Sequence, residues 1–385
     1  MSARSLFAFH LGSNPGYAIE HYERLFYRAG MELAGGDPMG VHFAFRDYAA
    51  GAPRTLPEGF RNLATWDYSS ADPARAREMA RYASEHEIRI AVLFDCDPLH
   101  PLARELHRAG VRSVVSFWGA PLSGRTPGWK LVLKRLQNLA ARGKADWVVC
   151  ESGPMADSAA LGRGFPASRT RVIHPGVDIH RFRPAATPGS FYAHDTLGFP
   201  RDRKLVIFTG HMEERKGVHV LVQAAVELLA RRGRKDVAFL ICGNRPGESA
   251  RLEKIHAGLG LDELIRYGGY RADLPEIYPS CYAAVIPSTG WDSFTYGAME
   301  MGASGLPVLA SHLQGLVESV LDGETGLHFP PGDALALANQ LERLLDDPAL
   351  ASRLGNGGRA RCERELNLEA HYGRVLGFLR EASLC

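Results

Sequence analysis

No stretch of this 385-residue chain approaches the roughly 18 consecutive apolar residues of a membrane span. The opening residues, MSARSLFAFHLGSNPG, carry one early arginine and a short apolar run that breaks at Gly12. They read as a first core strand and not as a secretory leader. A surplus of one charge is missing too. The net charge of +2 leaves no electrostatic footprint for nucleic acid. The six cysteines (Cys96, Cys150, Cys242, Cys281, Cys362 and Cys385) are scattered and form no CxxC pair, so neither a zinc site nor a disulfide framework is indicated. Four fall in or beside expected strands, where cysteine behaves as a small buried hydrophobe, and a reducing cytoplasm fits best. A complete GxGxxG is absent as well.

What is present is the alternation of strands and helices of an α/β protein, and enough chain for two domains. Leu6 to His10 reads as a strand, followed by the glycine-rich turn from Leu11 to Gly16 and a helix from about Tyr17 to Leu33. Such a turn is where a parallel sheet brings backbone close to a ligand. Val41 to Phe45 is expected as the second strand, and 46–72 as irregular. A helix is expected from Pro73 to His86 and a strand from Ile88 to Phe94. Asp95-Cys96-Asp97 follows that strand. An Asp-x-Asp can hold a divalent metal, but Pro98 follows at once and no other acidic cluster joins it, so turn chemistry is favoured. Val111 to Trp118 is expected as a strand ending in Trp118-Gly119-Ala120-Pro121.

In 129–144, Trp129, Val132, Leu133, Leu136 and Leu139 recur at helical spacing, with Lys130, Lys134, Arg135 and Arg142 largely elsewhere on the wheel. The favoured reading is a domain helix with a solvated basic face. The alternative is a helix lying on an anionic membrane. Arg181 to Phe199 lacks periodicity and contains Pro184, Pro188 and Gly189, as an interdomain linker would. A second α/β series then begins with Lys204 to Thr209. The loop from Gly210 to Gly217 places Arg215 and Lys216 just before a helix, at the carboxyl end of a strand. Two cations there suit a diphosphate, one of them able to bind it bidentately.

The most informative stretch is VIPSTGWDSFTYGAMEMGASGLPV, Val285 to Val308. It reads as strand, polar turn, a helix from about Ser293, and strand. Asp292 stands at the mouth of that helix. Glu300, eight positions on, would point to the same side of its axis. Between them, Ser293, Phe294, Thr295, Tyr296 and Gly297 would offer first-turn N–H groups that attract a phosphate. An acceptor of sugar hydroxyls, a phosphate cradle and a second hydroxyl acceptor follow one another, the layout for holding a nucleotide sugar. The plainer alternative is an N-capping Asp292 and a surface Glu300.

Together these motifs resemble those of retaining glycosyltransferase family four, with GT-B architecture. Gly210 to Gly217 is similar to the family's Gly-Arg-x-x-x-x-Lys-Gly loop. Asp292 to Glu300 is similar to its glutamate box, followed by Gly305-Leu306-Pro307-Val308. Val172 to Asp178 before Phe182-Arg183-Pro184 looks like the segment ahead of its linker. Glu318, Asp322-Gly323 and Thr325-Gly326-Leu327 look like its tail. The resemblance implies two Rossmann-like domains facing across a cleft: 1–185 for the acceptor, joined by a final helix in 366–385, and 200–365 for the donor. It implies transfer of a hexose from a UDP- or GDP-sugar to an acceptor hydroxyl with retention, without cofactor or metal. A phosphate oxygen of the donor would take the acceptor proton.

Carried over by position, Lys216 and Arg215 hold the phosphates and Asp292 bonds sugar hydroxyls. Phe294 to Gly297 present backbone to the donor, and Glu300 takes the ribose. Gly210 and His211 open the loop, Tyr270 and Arg271 meet the base, and Gly16 approaches the diphosphate. Three departures stand out. His211 replaces the usual arginine, Asp292 is shorter than glutamate, and Trp118 stands where histidine is frequent. The alternatives are a sugar-nucleotide epimerase or glycan phosphorylase of the same architecture, or a two-lobed sugar-binding protein without catalysis. The acceptor class stays open among glycans, lipid-linked and small molecules.

Overall fold

The computed structural model describes residues 3–14, 16–119, 126, 128–185 and 190–384. Ala120, Pro121, Pro188, Gly189 and Cys385 therefore lie outside the described residues. The chain divides into two compact units, Met1–His174 with His371–Cys385, and Pro175–Ala370.

The first unit is built on a parallel seven-stranded sheet in the order β3-β2-β1-β4-β5-β6-β7. Its strands are β1 Ser5–Phe9, β2 Val41–Phe45, β3 Leu63–Thr65, β4 Ile90–Phe94, β5 Ser113–Trp118, β6 Trp147–Cys150 and β7 Thr170–Val172. Strands covered on both faces carry apolar residues at successive positions. Leu6 and Ala8 of β1 pack with Ala91 and Leu93 of β4 on one face. Phe7 and Phe9 turn to the other, where Phe7 stacks on Phe26 at 4.8 Å and Phe9 on Phe94 at 5.5 Å. The last helix, Leu368–Leu384, belongs to this unit from His371 onward. Phe378 meets Trp147 edge-on at 5.7 Å, and Arg374 donates to the His174 carbonyl at 3.0 Å.

The second unit carries a parallel six-stranded sheet, ordered β10-β9-β8-β11-β12-β13. These are β8 Lys204–Thr209, β9 Val237–Cys242, β10 Ile265–Gly269, β11 Ala283–Ile286, β12 Val308–Ser311 and β13 Gly326–Phe329. Leu205 and Ile207 enter one core layer, Val206 and Phe208 the other. Each sheet starts in the middle and reverses direction beside its first strand. The crevice at such a reversal, outside the carboxyl strand ends, is where open α/β sheets take ligands. In the second unit the reversal lies between β8 and β11.

Four expectations are corrected. The 46–72 segment is not wholly irregular: β3 pairs with β2 in parallel, a three-residue strand too short to show periodicity. The Arg181–Phe199 segment contains the helix Tyr192–Leu197. The helix after β11 is Tyr296–Ala303 and not a helix from Ser293. Gly315 sits against Ser293, where a Cβ would come within 2.6 Å of its carbonyl carbon, and the Phe294 side chain is fully buried. Ser293 to Thr295 are thereby held in a loop. Finally, the helix Gly128–Ala140 turns its apolar face outward and does not pack it inside.

Candidate functional site

Two loops meet where the second sheet reverses. The loop after β8 reaches Gly217, whose φ of +66° only glycine adopts freely. A Cβ there would stand 1.8 Å from the Pro287 carbonyl oxygen. The missing side chain thus lets the β8 loop lie directly on the loop that leaves β11. The Arg215 carbonyl accepts from the N–H groups of Thr289 (2.7 Å) and Gly290 (3.1 Å), which ties the two together.

Lys216 and Asp292, 76 residues apart, are ion-paired in this arrangement. Lys216 Nζ lies 2.8 and 3.1 Å from the two carboxylate oxygens. Ser288 Oγ donates to Asp292 Oδ2 at 2.7 Å, and the Ser293 N–H to Oδ1 at 3.1 Å. The Asp292 N–H donates to Gln314 Oε1 at 3.1 Å. The two side chains are only 15% and 5% exposed. A pair so enclosed is strongly interdependent, since removing one charge strands the other.

Arg215 has other partners. Its guanidinium lies 4.1 Å from the centre of the Trp291 ring, Nη1 donates to the Trp291 carbonyl, and Nε donates to Glu213 at 2.6 Å. It braces the loop from the outer side. His211 is exposed, and the Gly210 N–H donates to the Cys242 carbonyl at 3.1 Å.

Glu300 is buried on the Tyr296–Ala303 helix. Tyr278 Oη donates to it at 3.5 Å and lies 2.9 Å from Thr209 Oγ1 at the end of β8. Burial raises the Glu300 carboxyl to about 7, opposed by the Arg181 charge and by the Tyr278 hydrogen bond. No side chain caps the start of this helix. Gly297 faces Thr209 and Thr295, where a Cβ would make ordinary contact.

The structure thus brings Lys216, Asp292, Ser293 and Glu300 to the carboxyl ends of β8 and β11. It does so without the reasoning applied to the sequence: Asp292 precedes the helix by four residues, so helical spacing does not relate it to Glu300. Tyr270 and Arg271 lie at the carboxyl end of β10, on the same sheet edge. Tyr270 is 87% exposed, and Arg271 is paired with Asp273, which also accepts from Tyr192 Oη at 2.9 Å. A cavity of about 610 Å³ is lined by Arg181, Arg183, Tyr192, Ala272 and Glu276, and none of Lys216, Asp292 or Glu300 lines it. Gly16 belongs to the first unit, where its φ of 121° starts the helix Tyr17–Leu33.

Ser288, Gln314 and Tyr278 escaped the sequence reading. Ser288 was within its motif but looked like turn chemistry. Gln314 is a non-glycine residue at φ +38°, a strain that sits beside function elsewhere, and no spacing announces it.

The carboxylates of Asp95 and Asp97 are used separately. Asp95, at φ +52°, accepts from the Gly119 N–H at 2.9 Å and lies 3.8 Å from His10. Asp97 accepts from the Leu99 N–H and pairs with Arg163 at 2.9 Å. Among the described residues no group of three or more His, Cys, Asp or Glu could hold a metal ion. Trp118 Nε1 donates to the Cys96 carbonyl and to Ser116 Oγ.

Comparison with known proteins bears on the family and the fold. Residues 203–347 match the family model described as Glycosyl transferases group 1, and residues 41–181 match that of Glycosyltransferase Family 4. A D-inositol 3-phosphate glycosyltransferase of Streptomyces bingchenggensis is 33% identical over 230 residues, covering 58% of this chain and 50% of that protein. The chain spans about half the length of the curated relatives it matches. The fold is shared with a glycosyltransferase from Rickettsia africae, at TM-score 0.82 and 17% identity over 99% of both chains. It is shared also with Anabaena HepE in complex with UDP, at TM-score 0.78 and 19% identity over 98% of this chain and 100% of that one.

Proposed function

Because this chain belongs to the group 1, family 4 glycosyltransferases with the two-Rossmann-unit GT-B architecture, we propose that it moves a hexose from a nucleotide diphosphate sugar to an acceptor hydroxyl, with retention and without a metal. The observation that carries the reading is the Lys216–Asp292–Ser288 cluster at the reversal of the second sheet, followed by an uncapped helix start. As the bond between sugar and diphosphate breaks, charge gathers on the leaving phosphate. Lys216 is the cation nearest at hand, and the first N–H groups of the Tyr296 helix add a partial positive charge. Such fixed donors in a poorly hydrated site act without reorganising. Asp292 orients sugar hydroxyls once the diphosphate shares Lys216 with it. Glu300 accepts from the ribose, and Tyr270 and Arg271 flank the base.

The printed names of the relatives suggest where to begin: UDP as the nucleotide and inositol 3-phosphate among the first acceptors. Unpaired cysteines, all five that are described, support a reducing cytoplasmic setting.

The test incubates the chain with UDP- and GDP-sugars and a panel of hydroxyl acceptors. Free nucleoside diphosphate that accumulates only with acceptor supports transfer. Isomerised donor would instead support an epimerase, a requirement for inorganic phosphate a phosphorylase, and sugar binding without any turnover a non-catalytic protein. Lys216→Ala alone strands a buried carboxylate, so the informative variant is Lys216→Met with Asp292→Asn. It should keep its fold and lose roughly 10²–10³ in kcat. Turnover at the level of the unmodified chain would contradict the assignment.

A further inference from the structure

The helix Gly128–Ala140 is mounted with its polar side inward. Its one buried side chain is Asn138, which donates to the Lys134 and Arg163 carbonyls at 3.1 and 2.8 Å. Lys134 Nζ donates to the Gly162 carbonyl at 2.6 Å and to Thr126 Oγ1 at 2.9 Å, and Lys144 donates to the Asn138 carbonyl. At Gly164 a Cβ would come within 2.8 Å of the Arg135 nitrogen, so the helix backbone rests directly on that glycine.

These attachments leave the apolar stripe outside. Trp129, Val132, Leu133, Leu136 and Leu139 are 68, 54, 48, 55 and 80% exposed. Single exposed apolar residues are ordinary, but a contiguous stripe of five marks an interaction surface. Lys130, Arg135 and Arg142 are exposed around it. From Pro121 to Lys144 the sequence holds six Lys or Arg and no Asp or Glu.

We propose that this face docks the chain on an anionic phospholipid surface. Charge complementarity selects that occupant. A rim of one sign would meet itself across an interface between two copies, whereas acidic headgroups attract each cation. The 13-residue helix is about 20 Å long, too short to span a bilayer but suited to lying at the headgroup level. Trp129 at its first turn is of the type enriched at that boundary. The assignment stands apart from the proposed transfer reaction.

The test is sedimentation of the full chain with vesicles of phosphatidylglycerol and phosphatidylcholine, against phosphatidylcholine alone. The expected result is binding to the anionic vesicles that weakens with salt and is at least about tenfold weaker without phosphatidylglycerol. Leu136→Glu with Leu139→Glu should abolish it, and Lys130→Glu with Arg135→Glu should weaken it at least about tenfold. All four positions are exposed, so the melting midpoint should stay unchanged. No binding to anionic vesicles at low salt would overturn the proposal. So would equal binding by the leucine variant, or a dimer that this variant dissociates in the absence of any lipid binding. Nucleoside diphosphate affinity measured on the same variants separates this outcome from that of the transfer reading.

Discussion

Glu300 is subject to opposing demands. Burial favours its neutral form and raises its carboxyl from 4.5 to about 7, whereas the ribose contact proposed for it would favour the carboxylate. The folded chain therefore holds a proton that the unfolded chain releases between those two values. Stability from this group is fully present below about 4.5 and is lost as pH rises to about 7, by roughly 3 kcal/mol in all. Glu23 in the first unit, also raised to about 7 by burial, adds a second slope of the same sign. Glu300→Gln removes only the share of Glu300. The variant's melting midpoint relative to the unmodified chain should rise from pH 5 to pH 8. A difference that stays constant across that range would show that Glu300 is already ionised when folded.

At the scale of elements, the β8 and β11 loops depend on a missing side chain. Gly217→Ala would place a methyl against the Pro287 carbonyl oxygen and force a left-handed alanine. The loops must part, and Lys216 moves with them. We expect a cost above about 2 kcal/mol. Gly258→Ala, at φ +75° with open space around it, should cost only about 1 kcal/mol. Denaturant titration of both variants checks this, and equal costs would refute the contact. Strands buried on two faces, such as β1 and β8, were legible in the sequence because continuous apolar runs end in glycine or polar turns. The sheet edge β3 and the helix Tyr192–Leu197 were not, since three and six residues are too few to show a period. The orientation of the Gly128–Ala140 helix was not legible either. Periodicity locates an apolar stripe, but only the hydrogen bonds of Asn138 and Lys134 decide which side faces in. Within the site, residue types were legible from motif order, while the pairing of Lys216 with Asp292 depends on how two loops pack.

At the scale of the whole molecule, each unit has its own sheet and its own core layers, and the proposed reaction gives the donor nucleotide to the second. Everything proposed for the reaction requires that unit to bind a nucleoside diphosphate through Lys216 and Glu300. Among the described residues no helix is long and apolar enough to cross a membrane. Calorimetric titration with UDP, GDP and ADP tests the claim most directly. The account predicts one-to-one binding of at least one of them, weakened at least about tenfold both by Glu300→Ala and by Lys216→Met with Asp292→Asn. Absence of binding by all three, or an affinity that neither variant changes, would contradict it.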